Sequence, residues 1–293
     1  MTRQEFAKWC AGGIRLLDGA TGSNLLRAGM PHGVCTELWV LEHPQVLETL
    51  QKRYAAAGSR IVYAPTFCAN RPALAGYGLS DRLHQMNVSL VQLSRRAVGP
   101  DVYVAGDMTT LGHPVSEDGP HSYHELIRVY REQAEALLDG GVDLFAVETM
   151  MGVEESLAAV EAIRSVCDLP ILCTLSLQSD GKAYFDGSAA EAAPALEALG
   201  ADAVGVNCAS GPDQLGIVVQ TMKKACTLPI IAKPNAGLPT ITDSGEAVYS
   251  LTPEAFAAAM LPLADAGAAL LGGCCGTTPE HIAALHTALL ERR

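Results

Sequence analysis

Short apolar runs of strand length recur along the chain, each followed by a longer stretch whose apolar residues return at helical spacing. The runs Ile14–Leu17, Arg60–Ala64, Val102–Ala105, Leu144–Val147, Ile171–Leu175, Ala203–Val206, Ile230–Lys233 and Ala269–Leu271 read as strands. The stretches between and after them predict helices over 44–58, 80–98, 121–140, 154–166, 188–199, 212–226, 252–266 and 279–291. Thr252-Pro253-Glu254 and Thr278-Pro279-Glu280 put a capping side chain before proline at the first helical position. Ala57-Gly58, Gly140-Gly141, Leu199-Gly200 and Ala266-Gly267 supply glycine where a helix ends in a left-handed residue. Strands without polar alternation are covered on both faces, which means a parallel sheet with helices outside it. Eight such units in 293 residues is the size of a (β/α)8 TIM barrel, an α/β fold. A doubly wound open sheet is the alternative, but no Gly-x-Gly-x-x-Gly follows the first strand and no linker divides the chain, so 1–293 is expected to be one domain.

Composition narrows the partners. A net charge of −12 argues against nucleic acid or an anionic membrane surface. The start, Met1 to Lys8, mixes charges of both signs and has no apolar core of a signal peptide. The most apolar stretch, Phe256 to Cys275, is broken by Pro262 and Asp265 and reads as a helix plus a buried strand rather than a span. Nine cysteines, an odd number without short-domain spacing, fit a reducing cytoplasm.

In a barrel the chemistry sits at the C-terminal ends of the strands. Those ends carry Asp18, Thr66, Asp107, Glu148, Ser176, Asn207-Cys208, Lys233-Pro234-Asn235 and Cys274-Cys275. The sixth and eighth strands are near neighbours in the ring, so Cys208 and the Cys274-Cys275 pair can face one point. Three thiolates with an open fourth position describe a catalytic zinc site. Three other readings stay open: a tight loop lined by thiols, a strained vicinal disulfide, and a glycine-rich phosphate cradle at Gly272–Gly276. With that cradle, Lys233 would be a Schiff-base lysine of a lyase or aldolase. Cys10, Cys35, Cys167, Cys173 and Cys226 are expected to be core residues and Cys68 to pack beside Phe67. The eight histidines, without metal-binding spacing, are expected to be surface or structural.

Leu17-Asp18-Gly19-Ala20-Thr21-Gly22, Pro65-Thr66-Phe67 with Asn70, Val147-Glu148-Thr149, Gly205-Val206-Asn207-Cys208, Pro234-Asn235-Ala236-Gly237 and Gly272-Gly273-Cys274-Cys275-Gly276 resemble, in order and position, the homocysteine S-methyltransferase family. That family consists of zinc-dependent (β/α)8 barrels and includes the homocysteine-binding domain of cobalamin-dependent methionine synthase. The resemblance implies Cys208, Cys274 and Cys275 as zinc ligands, with Asn235 as an oxygen ligand when substrate is absent. It implies Glu148 and Asp18 on the α-ammonium of homocysteine, and Gly19, Ala20 and Thr66 towards its carboxylate. The Pro65-Thr66-Phe67 signature and a chain that stops at Arg293 lead us to expect a methylated corrinoid, supplied by a separate protein, as methyl donor. S-methylmethionine or betaine is the alternative donor. Segments 66–79, 107–120 and 235–251 are expected to be long loops shaping the mouth, the last of them mobile.

Overall fold

In the computed structural model, which describes residues 1–208, 210–242 and 247–292, all eight apolar runs are strands of one ring. They are β1 (Arg15–Leu16), β2 (Ile61–Tyr63), β3 (Tyr103–Thr109), β4 (Leu144–Met150), β5 (Ile171–Leu175), β6 (Ala203–Asn207) and β7 (Ile230–Lys233). A small hairpin, β8 (Pro239–Ile241) with β9 (Ala247–Tyr249), precedes the last barrel strand, β10 (Ala268–Leu271). The parallel order is β1-β10-β7-β6-β5-β4-β3-β2. A parallel bridge between Leu17 and Ile61, with Arg60 N donating to Leu16 O at 2.8 Å, closes the ring into a (β/α)8 barrel.

The lack of polar alternation now has its reason. Leu17, Ile61, Tyr63, Ala105, Leu144, Ala146, Leu172, Ala203, Ile231 and Leu270 fill the interior. Leu16, Val62, Val104, Phe145, Val147, Cys173, Val204 and Leu271 face the helix layer. Each of the eight predicted helices is present, two of them after a short 3-10 turn: Ser80–Arg82 before Leu83–Val98, and Pro212–Gln214 before Gly216–Ala225.

The structure adds elements that periodicity did not reveal. A first helix, Arg3–Ala11, opens on a capping box in which Thr2 and Glu5 bond each other's backbone N–H. It buries Phe6 and Cys10 in the interior cluster and so plugs the N-terminal end of the barrel. Gly22–Arg27, Thr36–Glu42 and Arg71–Ala75 are short helices on the opposite rim. The expected loops are therefore shorter than the sequence suggests. Segment 66–79 holds the helix Arg71–Ala75, capped by Asn70 Oδ1 accepting from Ala73 N at 3.0 Å. β3 runs on to Thr109, which pairs with Glu148. Segment 235–251 contains the hairpin, and its residues 243–246 lie outside the described part.

Candidate active site

At the C-terminal end of the ring lies a cavity of ≈ 320 Å³, walled by residues from several strand ends, among them Asp18, Asp107, Glu148, Cys208, Lys233, Cys274 and Cys275. The turn after β10 is held tightly enough to demand its glycines. A Cβ on Gly272 would stand 2.7 Å from Asp18 O, and one on Gly273 would stand 2.4 Å from Thr277 Oγ1. Gly273 N donates to Asp18 O at 3.0 Å and Cys274 N to Pro234 O at 2.8 Å, while Ala236 N donates to Cys275 O at 2.9 Å. The cysteine pair is thus pinned between the ends of β1 and β7. Cys208 follows β6 with φ of 59°, a left-handed conformation rare for a residue with a side chain. Its N–H donates to Lys233 O at 3.2 Å.

The three sulfurs of Cys208, Cys274 and Cys275 all lie within 4.8 Å of one another, and those of Cys208 and Cys275 are 4.0 Å apart. Tetrahedral zinc with Zn–S of about 2.3 Å needs sulfurs about 3.8 Å apart, so the cluster fits a metal without rearrangement. Cys274 and Cys275 are not joined to each other, which removes the vicinal disulfide. Hydrogen bonds among the three thiols push the Cys274 thiol well above the ordinary range and draw the Cys275 thiol below it, so a proton is shared unevenly within the cluster. Asn235 is buried, and its Oδ1 has no hydrogen-bond partner. An orphaned acceptor one residue from Ala236, which bonds the Cys275 carbonyl, suits an oxygen donor. Cys10, Cys35 and Cys173 are buried, and Cys167 and Cys226 pack on the outer core, as expected. Cys68 instead forms part of the cavity wall, where burial pushes its thiol up to about 12.

Beside the sulfurs sits a buried charge cluster. Lys233, 3 % exposed, places Nζ 3.2 Å from Asp18 Oδ1 and 3.3 Å from Glu148 Oε2. The same ammonium stands 3.4 Å from the centroid of the Tyr63 ring, a cation–π contact. Burial alone would lower the Lys233 ammonium, but Glu148, Tyr63 and Asp18 outweigh it and keep the group protonated. A lysine so held is no amine nucleophile, which removes the basis of the Schiff-base reading. Asp18 Oδ2 also accepts from Tyr63 N at 2.8 Å. Asp107, a strand-end acid without an assigned role in the sequence reading, is buried on the same wall with Oδ1 unpartnered. Burial, then the Glu148 charge, push it well above the usual carboxylate range. Three acids thus face one ammonium, and the cavity is short of positive charge.

Asn207 ties the two halves of the site together. Its Oδ1 accepts from Thr149 N at 2.8 Å, and its Nδ2 reaches Thr149 Oγ1 at 2.7 Å and Cys274 Sγ at 3.9 Å. Thr149, with φ of 60°, is the other strained residue, so among the described residues both left-handed non-glycine positions flank this one amide. Thr66 lies behind the wall, its hydroxyl donating to Asp107 O at 2.8 Å and accepting from Asp107 N at 3.0 Å. Ala20 N donates to Thr277 Oγ1 at 3.0 Å, leaving Gly19 and the adjoining Thr21, Gly22 and Ser23 on that side of the cavity. Glu37, which no sequence signal marked, is a further buried acid on the wall and accepts from Cys68 N at 2.9 Å.

Residues 15–289 match the family model described as homocysteine S-methyltransferase. Over 90% of its length the chain is 32% identical to the methionine synthases of Mycobacterium leprae and Mycobacterium tuberculosis. It spans about a quarter of the length of those relatives, 23% and 24% respectively. Among solved structures, the metallated form of the homocysteine methyltransferase MmuM from Escherichia coli superposes with a TM-score of 0.78 at 25% identity, covering 94% of this chain and 96% of that one. The oxidized form of MmuM gives the same score and identity over 96% of each chain. Among the described residues no helix is long and apolar enough to cross a membrane.

Proposed function

Because the chain belongs to the homocysteine S-methyltransferase family, we propose that residues 1–293 form one homocysteine-binding barrel that transfers a methyl group to the substrate sulfur. The observation that carries this reading is the meeting, on one cavity, of a three-sulfur cluster with a buried excess of carboxylates. The first suits a thiol group and the second an ammonium, and homocysteine has both. A zinc ion held by Cys208, Cys274 and Cys275, with Asn235 as oxygen donor before substrate arrives, would supply thiol deprotonation and keep the bound sulfur nucleophilic.

The residues around that point orient the rest of the molecule. Glu148 and Asp107 receive the α-ammonium, whose charge offsets the acid excess. Asp18 acts mainly through Lys233, since both its oxygens are already bonded. Gly19 and the adjoining Thr21–Ser23 wall face the carboxylate. Fixing the amino-acid end aims the sulfur at the barrel mouth, which is proximity catalysis. A cavity of ≈ 320 Å³ holds an amino acid but not a corrinoid, so a large donor must present its methyl group at the mouth. The methyl carbon is attacked in line with its leaving group there. We assign a methylated corrinoid, carried outside this barrel, as donor, and methionine as product, the product that the name of the mycobacterial relatives also gives. Unpaired thiols at Cys274 and Cys275 suit a reducing compartment such as the cytoplasm.

The test joins metal analysis with homocysteine methylation across methylcobalamin, methylated corrinoid protein, S-methylmethionine and betaine. We expect one zinc per chain and the fastest turnover with the corrinoid donors. Turnover with a small donor alone would reassign the donor. A metal-free protein that methylates no thiol with any of the four would end the reading.

A further inference from the structure

β4 and β5 fall out of step where the cavity begins. Val147 pairs with Cys173 and Met150 with Leu175, so β4 carries one residue more than its neighbour across Glu148 and Thr149. An extra residue of this kind bends a strand, re-aims a side chain and leaves backbone groups to find partners outside the ladder. Here it coincides with the left-handed Thr149, and Glu148 is turned onto the cavity wall. Thr149 N finds its partner in Asn207 Oδ1, which accepts from it at 2.8 Å.

Asn207 is the last residue of β6, fully buried and behind the cavity wall rather than on it. β5 stands between β6 and β4, so the amide reaches past a whole strand to hold the kink. With the oxygen committed to Thr149 N, the orientation of the amide is fixed. Its Nδ2 lies 2.7 Å from Thr149 Oγ1, 3.4 Å from Glu148 Oε2 and 3.9 Å from Cys274 Sγ. One nitrogen thus touches a carboxylate assigned to the substrate ammonium and a sulfur assigned to the metal. Both neighbours face the cavity, while Asn207 leaves its space to the substrate.

Building on the homocysteine reading of the preceding subsection, we propose that Asn207 is a positioning residue that selects substrate length. Its amide clamps the β4 kink and so fixes the span between the Glu148 carboxylate and the Cys274 sulfur. Homocysteine can then hold the metal with its sulfur and Glu148 with its ammonium at once. Cysteine, one methylene shorter, reaches only one of the two. A misplacement of about 1 Å in such a site costs on the order of a hundredfold, so a clamp on the span is a clamp on selectivity.

The experiment titrates zinc-loaded protein with homocysteine, cysteine and 4-mercaptobutyrate in a calorimeter, for wild type, Asn207→Ser, Glu148→Gln and the double variant. Wild type should prefer homocysteine to cysteine. Asn207→Ser should keep its zinc and bind homocysteine about 10- to 100-fold more weakly, with little change for the two thiols that do not span both points. In the Glu148→Gln background the same substitution should add less than about threefold, because the two residues act through one contact. Should Asn207→Ser fail to fold, Thr149→Gly relaxes the same kink from its other side and should narrow the preference likewise. Equal weakening of all three thiols, additive losses in the double variant, or an unchanged preference would overturn the role of Asn207 and leave the metal site and Glu148 standing. Wild-type protein that binds no homocysteine would overturn the preceding reading, and this inference with it.

Discussion

Replacing Lys233 with methionine is the sharpest test of the buried charge cluster. Methionine keeps much of the length of the side chain and its packing against Tyr63, so the change removes chiefly the ammonium. Asp18 and Glu148 would lose their shared cation, with Lys233 3 % exposed and Asp18 2 % exposed in their side chains. Breaking a buried ion pair by deleting one partner costs about 3–5 kcal/mol, since the remaining charge stays out of water. At about 2–4 °C per kcal/mol for a large domain, the melting temperature should fall by roughly 6–20 °C at pH 7.5. The loss should depend on pH in a definite direction. Burial already raises Asp18 and Glu148, and Lys233 opposes that rise. Without it both carboxyls take up protons more readily in the folded state than in the unfolded one. Stability from such groups is present at low pH and lost as pH rises through the folded value, so the deficit should shrink when melts are repeated at pH 5.5. Adding Glu148→Gln to Lys233→Met should restore part of the loss. A drop below about 2 °C, or a deficit that grows as pH falls, would refute the reasoning.

Cys275→Ala should abolish stoichiometric zinc while Cys167→Ala retains it; metal analysis of the purified variants decides, and full occupancy in Cys275→Ala would remove that cysteine from the ligand set. Glu148→Gln should weaken homocysteine binding by about ten- to a hundredfold, from a charged hydrogen bond of about 1.5–3 kcal/mol, and leave 4-mercaptobutyrate, which lacks the ammonium, unaffected in calorimetry. Equal losses for both ligands would mean that Glu148 acts on the fold rather than on the ammonium. Phe6→Ala, at the far end of the barrel, should cost about 3–5 kcal/mol in urea unfolding with homocysteine affinity unchanged. A cost under about 1 kcal/mol would show that the first helix is not a plug.

The barrel was legible because its strands are buried on both faces and its helices carry their caps in sequence, as Thr252-Pro253 and Thr278-Pro279 do. The strand ends were harder to read. β3 and β4 run on into Asp107–Thr109 and Glu148–Met150, where polar residues around Met108 and Met150 look like loop yet continue the ladder, as the Thr109–Glu148 pairing shows. The helix Arg3–Ala11 was missed because its charged residues mask the apolar period, although Thr2-Arg3-Gln4-Glu5 is a capping-box signature in plain view. Among site residues, Cys208, Cys274 and Cys275 converge as strand order suggested, with β7 alone between β6 and β10. Which acid faces the cavity and which is occupied elsewhere could not be read in advance. That depends on Lys233 and Tyr63 N, which reach Asp18 from elements far away in the chain.

The seam where β10 meets β1 bears on how the molecule is assembled in time. Gly273 N bonds Asp18 O, Ala20 N bonds Thr277 Oγ1 across 257 positions, and Lys233 bonds Asp18 across 215. Contacts of such separation form late, because the entropy of closing a long loop must be overcome before they contribute. Earlier strands can pair in sequence, but the cysteine turn acquires its shape only when the last strand docks on the first. Until then Cys208 and the Cys274-Cys275 pair belong to separate pieces of chain. Tight metal capture during refolding would therefore time the closing of the ring, not the formation of its strands.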